Sequence, residues 1–496
     1  MTEYDPGDSF AADKLAKRRE LRDRNTEVYP HEFEPTATLR ELERQYDGPN
    51  GAAGDDIHTI SGRVVTTGRT DEDDAFVDIT DGHLTVRVLL QESSHVDHDI
   101  HRLLDPDDLV GATGTVARVQ QDTVVFDSSD ITVLSKTLFR PPEQDGPGDQ
   151  EVGSSDREDG LTGREGSSDP IAALRDDLIR SKVDSRYVLL RELRSHLAEQ
   201  GFVEIETPPL QTPPNDPGPA HFETYLAATD EQVTLPRAKS VYHSRLIAGG
   251  FERISGVGTD FRPAASTSAV TSLELHQAYT DCEDVMTLAE RMVSDAVTTL
   301  HAGDSTVALD GREVDFGRPW TRLTMSDAID EYTTLDASAL SDGRSGDRAQ
   351  QGGSAPSSDS PPEPDLADIV ERITPQLTDA TFLSGYQVDT APSRTAGDAG
   401  DTGCVEVIAG GEKLATLFTV PQDPLEVARG VDDSSTPQDG DGQARSSSDA
   451  DRLQSLAYGI PPTAGVRLDI DRLSVLLTDS DAVGAVRPFQ RYDDTS

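Results

Sequence analysis

Residues 457–480 read AYGIPPTAGVRLDIDRLSVLLTDS, and the class of the larger part of this chain turns on them. A Gly-Ile-Pro-Pro turn releases into GVRLDIDRLSVLL, a strand-like run rich in branched apolar residues. Three earlier runs have the same character: FVEIETPPL (202–210), LELHQAY (273–279) and CVEVIAGGEKLATLFTV (404–420). Helical stretches such as Val285–Leu300 lie between them. Ahead of them, residues 171–200 carry an apolar stripe at helical period that stops at Gly201. Strands broken irregularly by helices predict an α+β domain with an antiparallel sheet flanked by helices.

The pattern changes upstream. Residues 57–135 alternate apolar and polar positions in short runs: HTISGRVVTTG, AFVDITDGHLTVRVLL, ATGTVARV and DTVVFDSSDITVL. Several short strands with turn signals between them predict a small barrel of OB-fold size. Residues 12–24 (ADKLAKRRELRDR) predict a helix with six basic residues, among them Arg18, Arg19 and Arg22. Two readings stand for it, a solvated surface and a contact with phosphate. Four stretches rich in Gly, Ser, Asp and Pro read as linkers or insertions: Pro141–Asp169, Ser341–Asp365, Ser393–Gly403 and Gly430–Asp451. The expected organisation is therefore a basic helix and connector (1–56), a barrel (57–140), a linker (141–170) and the α+β domain (171–496).

Composition bounds the setting. There are 92 acidic and 44 basic residues, a net charge of −48, and lysine occurs only six times. The excess acid is spread along the chain rather than gathered into blocks, which fits a salty cytoplasm better than a dedicated basic partner. The N-terminus shows neither a basic region nor an apolar core of a signal peptide, and no run approaches a membrane span, so the expectation is a cytoplasmic protein. Cys282 and Cys404 fit neither a disulfide framework nor a zinc spacing.

Taken in order, these segments resemble class II lysyl-tRNA synthetases across about residues 12–490. KLAKRRELRDRNTEVYPHEFEPT (14–36) resembles the family's N-terminal helix and Tyr-Pro turn, and LSKTLFRPP (134–142) the exit from its anticodon barrel. GFVEIETPPL is similar to motif 1. RLIAGGFERI (245–254), then FR (261–262) and LELHQAYTD, are similar to motif 2, and AYGIPPTAG with IDRLSVLLTDS to motif 3. The resemblance implies ATP-dependent attachment of lysine to tRNA through an aminoacyl-adenylate, with ATP and Mg2+ as cofactors. It also implies a homodimer built through motif 1, with no DNA or membrane partner. The implied phosphate-gripping arginines are Arg262 and Arg472, suited to the task because a guanidinium takes phosphate bidentately. Gly465 would lie against the nucleotide, Glu274 would bind the amino acid and Glu406 would hold magnesium. In the barrel, Phe76 would stack on an anticodon base or else belong to the core, and Arg87 stands at a base-reading position.

Several motif positions depart from the family. Pro263 and Ala264 follow Arg262 where Asn-Glu is usual, and Val270 replaces a stacking aromatic. Arg467 and Asp469 replace two motif 3 glycines. Ser240, His276, Thr416 and Val420 replace amino-acid-binding residues, and Lys413 stands at a magnesium position, where an ammonium cannot ligate. The expectation is a synthetase scaffold with aminoacylation lost or strongly reduced and a tRNA- or partner-binding role retained. The alternatives are a divergent but active lysine–tRNA ligase and an ATP-dependent ligase with another acceptor.

Overall fold

The computed structural model describes residues 10–46, 56–70, 73–82, 84–90, 99–120, 123–138, 177–211, 222–236, 239–262, 269–333, 366–388, 402–425, 427–428 and 453–487. They fall into two compact units, the first running through Leu178 and the second from Ile179. The stretches 141–169, 341–365 and 430–451 lie outside the described residues. Of the expected insertion 393–403, only Thr402 and Gly403 are described, and both already belong to a strand.

In the first unit, helix α1 (Ala12–Asp23) and helix α2 (Leu39–Tyr46) accompany a closed five-stranded barrel. Its strands are β1 (His58–Arg69), β2 (Ala75–Thr80), β3 (Thr85–Leu90), β4 (Leu109–Gln120) and β5 (Thr123–Ser135). Around the barrel the order is β1-β2-β3-β5-β4, with β3 and β5 parallel and the other pairs antiparallel. Alternation does the folding: Ala75, Val77 and Ile79 of β2 and Val86, Val88 and Leu90 of β3 point into one core. Leu21, Leu39 and Leu42 bring the two helices onto the same core. The expected OB-type barrel is what the chain builds.

In the second unit, helix α3 (Asp177–Glu199) ends at Gly201, whose φ of +80° suits glycine. Then come β6 (Val203–Glu204), a two-stranded ribbon of β7 (Glu223–Leu226) and β8 (Glu231–Thr234), and helix α4 (Ser240–Ala248). Next are β9 (Arg253–Phe261), β10 (Ala269–Ala278), helix α5 (Cys282–Leu300), a ribbon of β11 (Thr306–Leu309) and β12 (Arg312–Asp315), and β13 (Thr321–Thr324). The last strands are β14 (Thr381–Val388), β15 (Thr402–Ala409), β16 (Glu412–Thr419) and β17 (Thr463–Asp469), followed by helix α6 (Ile470–Leu477). One sheet of eight strands runs β13-β14-β15-β16-β17-β10-β9-β6. It is antiparallel through the middle, with a parallel pair at each edge.

GVRLDIDRLSVLL is only half strand. Asp469 accepts a hydrogen bond from the Arg472 backbone N–H and caps α6, so the extended run becomes helix at Ile470. Leu273, Leu275, Ala415, Leu417, Ala464, Val466 and Leu468 face α3, α5 and α6 in a single core. Capping of α5 is reciprocal, with Asp281 and Asp284 each bonding the other's backbone N–H. Cys282, in the first turn of α5, is disulfide-bonded, which corrects the expectation that the cysteines take no part in a disulfide.

Candidate functional site

Strand alternation that sends leucines and valines into the core sends the intervening residues to the sheet's other face. From β9 these are Gly256, Gly258 and Asp260, and from β10 Ser272, Glu274 and His276. From β16 they are Thr416 and Phe418, and from β17 Gly465, Arg467 and Asp469. Register puts Glu274 opposite both Gly256 and Arg467, and His276 opposite Gly465. Helix α4 adds two more groups: Lys239, just before its first turn, and His243, four residues on, on the same side of the helix.

These residues form two bonded clusters. In one, the fully buried Glu274 carboxylate takes Arg467 Nε at 3.1 Å on Oε2. Its Oε1 lies 3.0 Å from His276 Nε2 and 3.3 Å from His243 Nδ1. The imidazoles meet edge to face at 4.8 Å, and Phe418 packs against His276 at 5.0 Å. Burial alone would push the Glu274 carboxyl up; Arg467 and the two histidines instead hold it well below the usual carboxylate range. Burial pulls His243 down, partly offset by Glu274, which favours the neutral ring. In the second cluster, the buried Lys239 ammonium donates to Asp260 at 2.6 Å and to Ser272 at 2.7 Å.

Glu274 is therefore buried and already engaged. Gly465 is under equal pressure: a Cβ there would meet the Leu275 carbonyl oxygen at 2.3 Å and the Phe418 ring at 2.5 Å. The ring of Phe418 covers the backbone that the resemblance lays against a nucleotide. Glu406, 5% exposed, has its carboxylate bound by the Lys413 ammonium. Magnesium needs oxygen donors and tolerates no ammonium in its shell, so the residues present do not fit that ion.

The two motif arginines are on the surface. Arg262 is exposed at the end of β9, and Arg472 is about half exposed in the first turn of α6. Arg472 donates to the Lys413 carbonyl at 3.2 Å and lies 3.7 Å from both Asp469 and Glu412. Its sequence neighbour Asp471 is not its partner; that buried carboxylate takes Arg186 at 2.6 Å and Arg487 at 3.0 Å. Burial pushes the Asp469 carboxyl up, while the Arg472 backbone N–H and the charges of Arg472 and Arg262 oppose it. Pro263 and Ala264 lie outside the described residues. Val270 is half-buried on β10, and Thr416 and Val420 are buried.

On the barrel, Phe76 is half-buried and is not part of the core cluster. The Arg87 guanidinium lies 4.2 Å over its ring while gripping Asp78 with two bonds of 2.8 Å. On α1, Lys17 is tied to Asp105 at 2.6 Å, and Arg18 leans on the Tyr29 ring at 5.7 Å. Arg19 and Arg22 are exposed and make no ion pair with another described residue.

Reading the sequence singled out Glu274, His276 and Arg467 but missed His243, Lys239, Asp260 and Ser272. The signal for two of them was a lysine and a histidine four apart in KSVYHSRLI, on the side of α4 that Ile247 buries.

The sequence pattern of the family described as tRNA synthetases class II (D, K and N) matches residues 168–493. A lysine–tRNA ligase of Dehalococcoides mccartyi is 30% identical over 99% of this chain and 98% of its own length. Those of Pelotomaculum thermopropionicum (29%, over 95% of this chain and 92% of the relative) and Gloeobacter violaceus (28%, 96% of each) are similar to it along nearly their whole lengths. With the barrel, the eight-stranded sheet and the ordered motifs already described, these matches show that the chain belongs to the class II lysyl-tRNA synthetase family.

Proposed function

We propose that this chain keeps the synthetase scaffold and binds tRNA or a protein partner without activating lysine at the rate of its relatives. One observation carries the reading. Glu274, the matching carboxylate that would receive a substrate ammonium, is fully buried and occupied by Arg467, His243 and His276. A lysine entering here must displace a guanidinium from a desolvated carboxylate whose charge is already paired. The Lys413–Glu406 pair and the Phe418 ring over Gly465 support the same reading at the magnesium and nucleotide positions. Association of two copies through motif 1 and a high-salt working environment, suggested by the acidic surface, belong to this proposal as well.

The test is lysine-dependent ATP–pyrophosphate exchange at multimolar KCl, with an ATP-binding titration alongside. Exchange at a small fraction of an ordinary synthetase's rate is expected, and turnover comparable to an ordinary synthetase refutes the proposal. A second reading, a divergent working ligase, draws on Arg262 and Arg472. Both remain at the surface, and the charges of both act on Asp469, so a triphosphate could be met by the two together.

A further inference from the structure

We propose that His243, Glu274 and His276 form a binding site for a zinc-class divalent cation. The inference does not depend on whether the chain activates lysine. Among the described residues, this is the one group of three or more His, Cys, Asp or Glu side chains whose donor atoms converge, all within 4.8 Å of one another. Two donors flank a single oxygen: His276 Nε2 at 3.0 Å and His243 Nδ1 at 3.3 Å from Glu274 Oε1. A tetrahedral shell with bonds of about 2.0–2.1 Å has donor–donor edges of about 3.3–3.4 Å. Two of the three donor spacings are thus already close to those edges, and the third, within 4.8 Å, must close for the shell to form.

A second observation points to a ligand. His243 Nδ1, fully buried, faces Glu274 Oε1 at 3.3 Å without completing a well-aligned hydrogen bond, and both rings are fully shielded from solvent. Buried polar atoms without partners are rare, because each has given up water and received nothing in exchange. A cation beside Glu274 Oε1 takes up a lone pair at His243 Nδ1 and, at His276 Nε2, replaces that ring's contact with the carboxylate. The carboxylate is divided in the manner of a ligand with an outer partner. Oε1 faces both imidazoles, while Arg467 fixes Oε2 and so orients the group for one-oxygen coordination. Two imidazoles and one carboxylate select zinc and its neighbours over magnesium or calcium. Three protein donors leave one position for water or a small anion.

The experiment uses the full chain at high salt, stripped with a chelator and then loaded with Zn2+ alone. Retention of about one Zn2+ per chain through gel filtration is expected. X-ray absorption of the loaded wild-type chain should show two imidazole nitrogens on the metal. His243→Gln and His276→Gln should each weaken retention about 100-fold or more, with the exposed His31→Gln as the unaffected control. The wild-type spectrum needs no variant, so it decides even where a variant fails to fold. Zn2+ lost on gel filtration, a spectrum lacking the two imidazoles, or equal retention by both histidine variants overturns the site.

Discussion

Glu274 and Gly465 carry most of the residue-scale argument. Each matches the family's residue and each is taken up by the chain's own side chains. Gly465→Ala places a methyl within 2.5 Å of both the Leu275 carbonyl and the Phe418 ring. Overpacking of this kind should cost about 1–3 kcal/mol, read as a lower denaturant midpoint. A midpoint unchanged from wild type would mean that Phe418 does not press on this strand. Lys239 is the second residue whose removal is informative. Lys239→Met leaves Asp260, which is fully buried, with only Ser272, and should destabilise by about 3–5 kcal/mol. Adding Asp260→Asn should recover part of that loss in a double-mutant cycle. Strict additivity of the two would show that the ammonium and carboxylate are not coupled.

At the scale of elements, β17 and α6 show where strand-like sequence misleads. From Val466 to Ile470 apolar and charged residues alternate, and the Asp469 side chain on the Arg472 N–H marks the point where strand gives way to helix. Val466, Leu468 and Ile470 keep the strand period and Ile470, Leu473, Leu476 and Leu477 the helical one, so the two patterns overlap and the cap fixes the boundary. Helix α1 offers the element-scale prediction. Arg18 rests on Tyr29 and Lys17 on Asp105, which leaves Arg19 and Arg22 as the exposed pair. Changing Arg18, Arg19 and Arg22 together to alanine should weaken tRNA retention. The Arg19→Ala/Arg22→Ala pair does so without disturbing the Tyr29 contact. Each lost phosphate contact should flatten the slope of log affinity against log salt by about 0.7–0.9. Identical binding curves would return the helix to the status of a solvated surface.

For the whole molecule, a net charge of −48 makes salt the governing variable. Like charges repel over a screening length of about 10 Å at 0.1 M salt and about 3 Å at 1 M. Stability should therefore rise steeply with KCl over that interval and level off once screening saturates. Trp320, the sole tryptophan, is buried in the synthetase unit with its ring N–H on Ser294 and the Phe316 carbonyl, so its fluorescence follows that unit's melting. A melting temperature independent of KCl would argue against adaptation to salt. Much of this architecture was legible in the sequence alone. Alternation in 57–135 yields the barrel, the apolar stripes yield α3 and α5, and the motif order points to the family, because periodicity and turn chemistry are local properties. The occupied pocket was not legible. Glu274 reads as a retained substrate ligand until the β10–β17 register sets Arg467 across from it and α4 carries His243 over the sheet. Those residues are 193 and 31 positions from Glu274 along the chain. Only the fold brings such distant side chains onto one carboxylate, and that tertiary contact separates a kept motif residue from an available one.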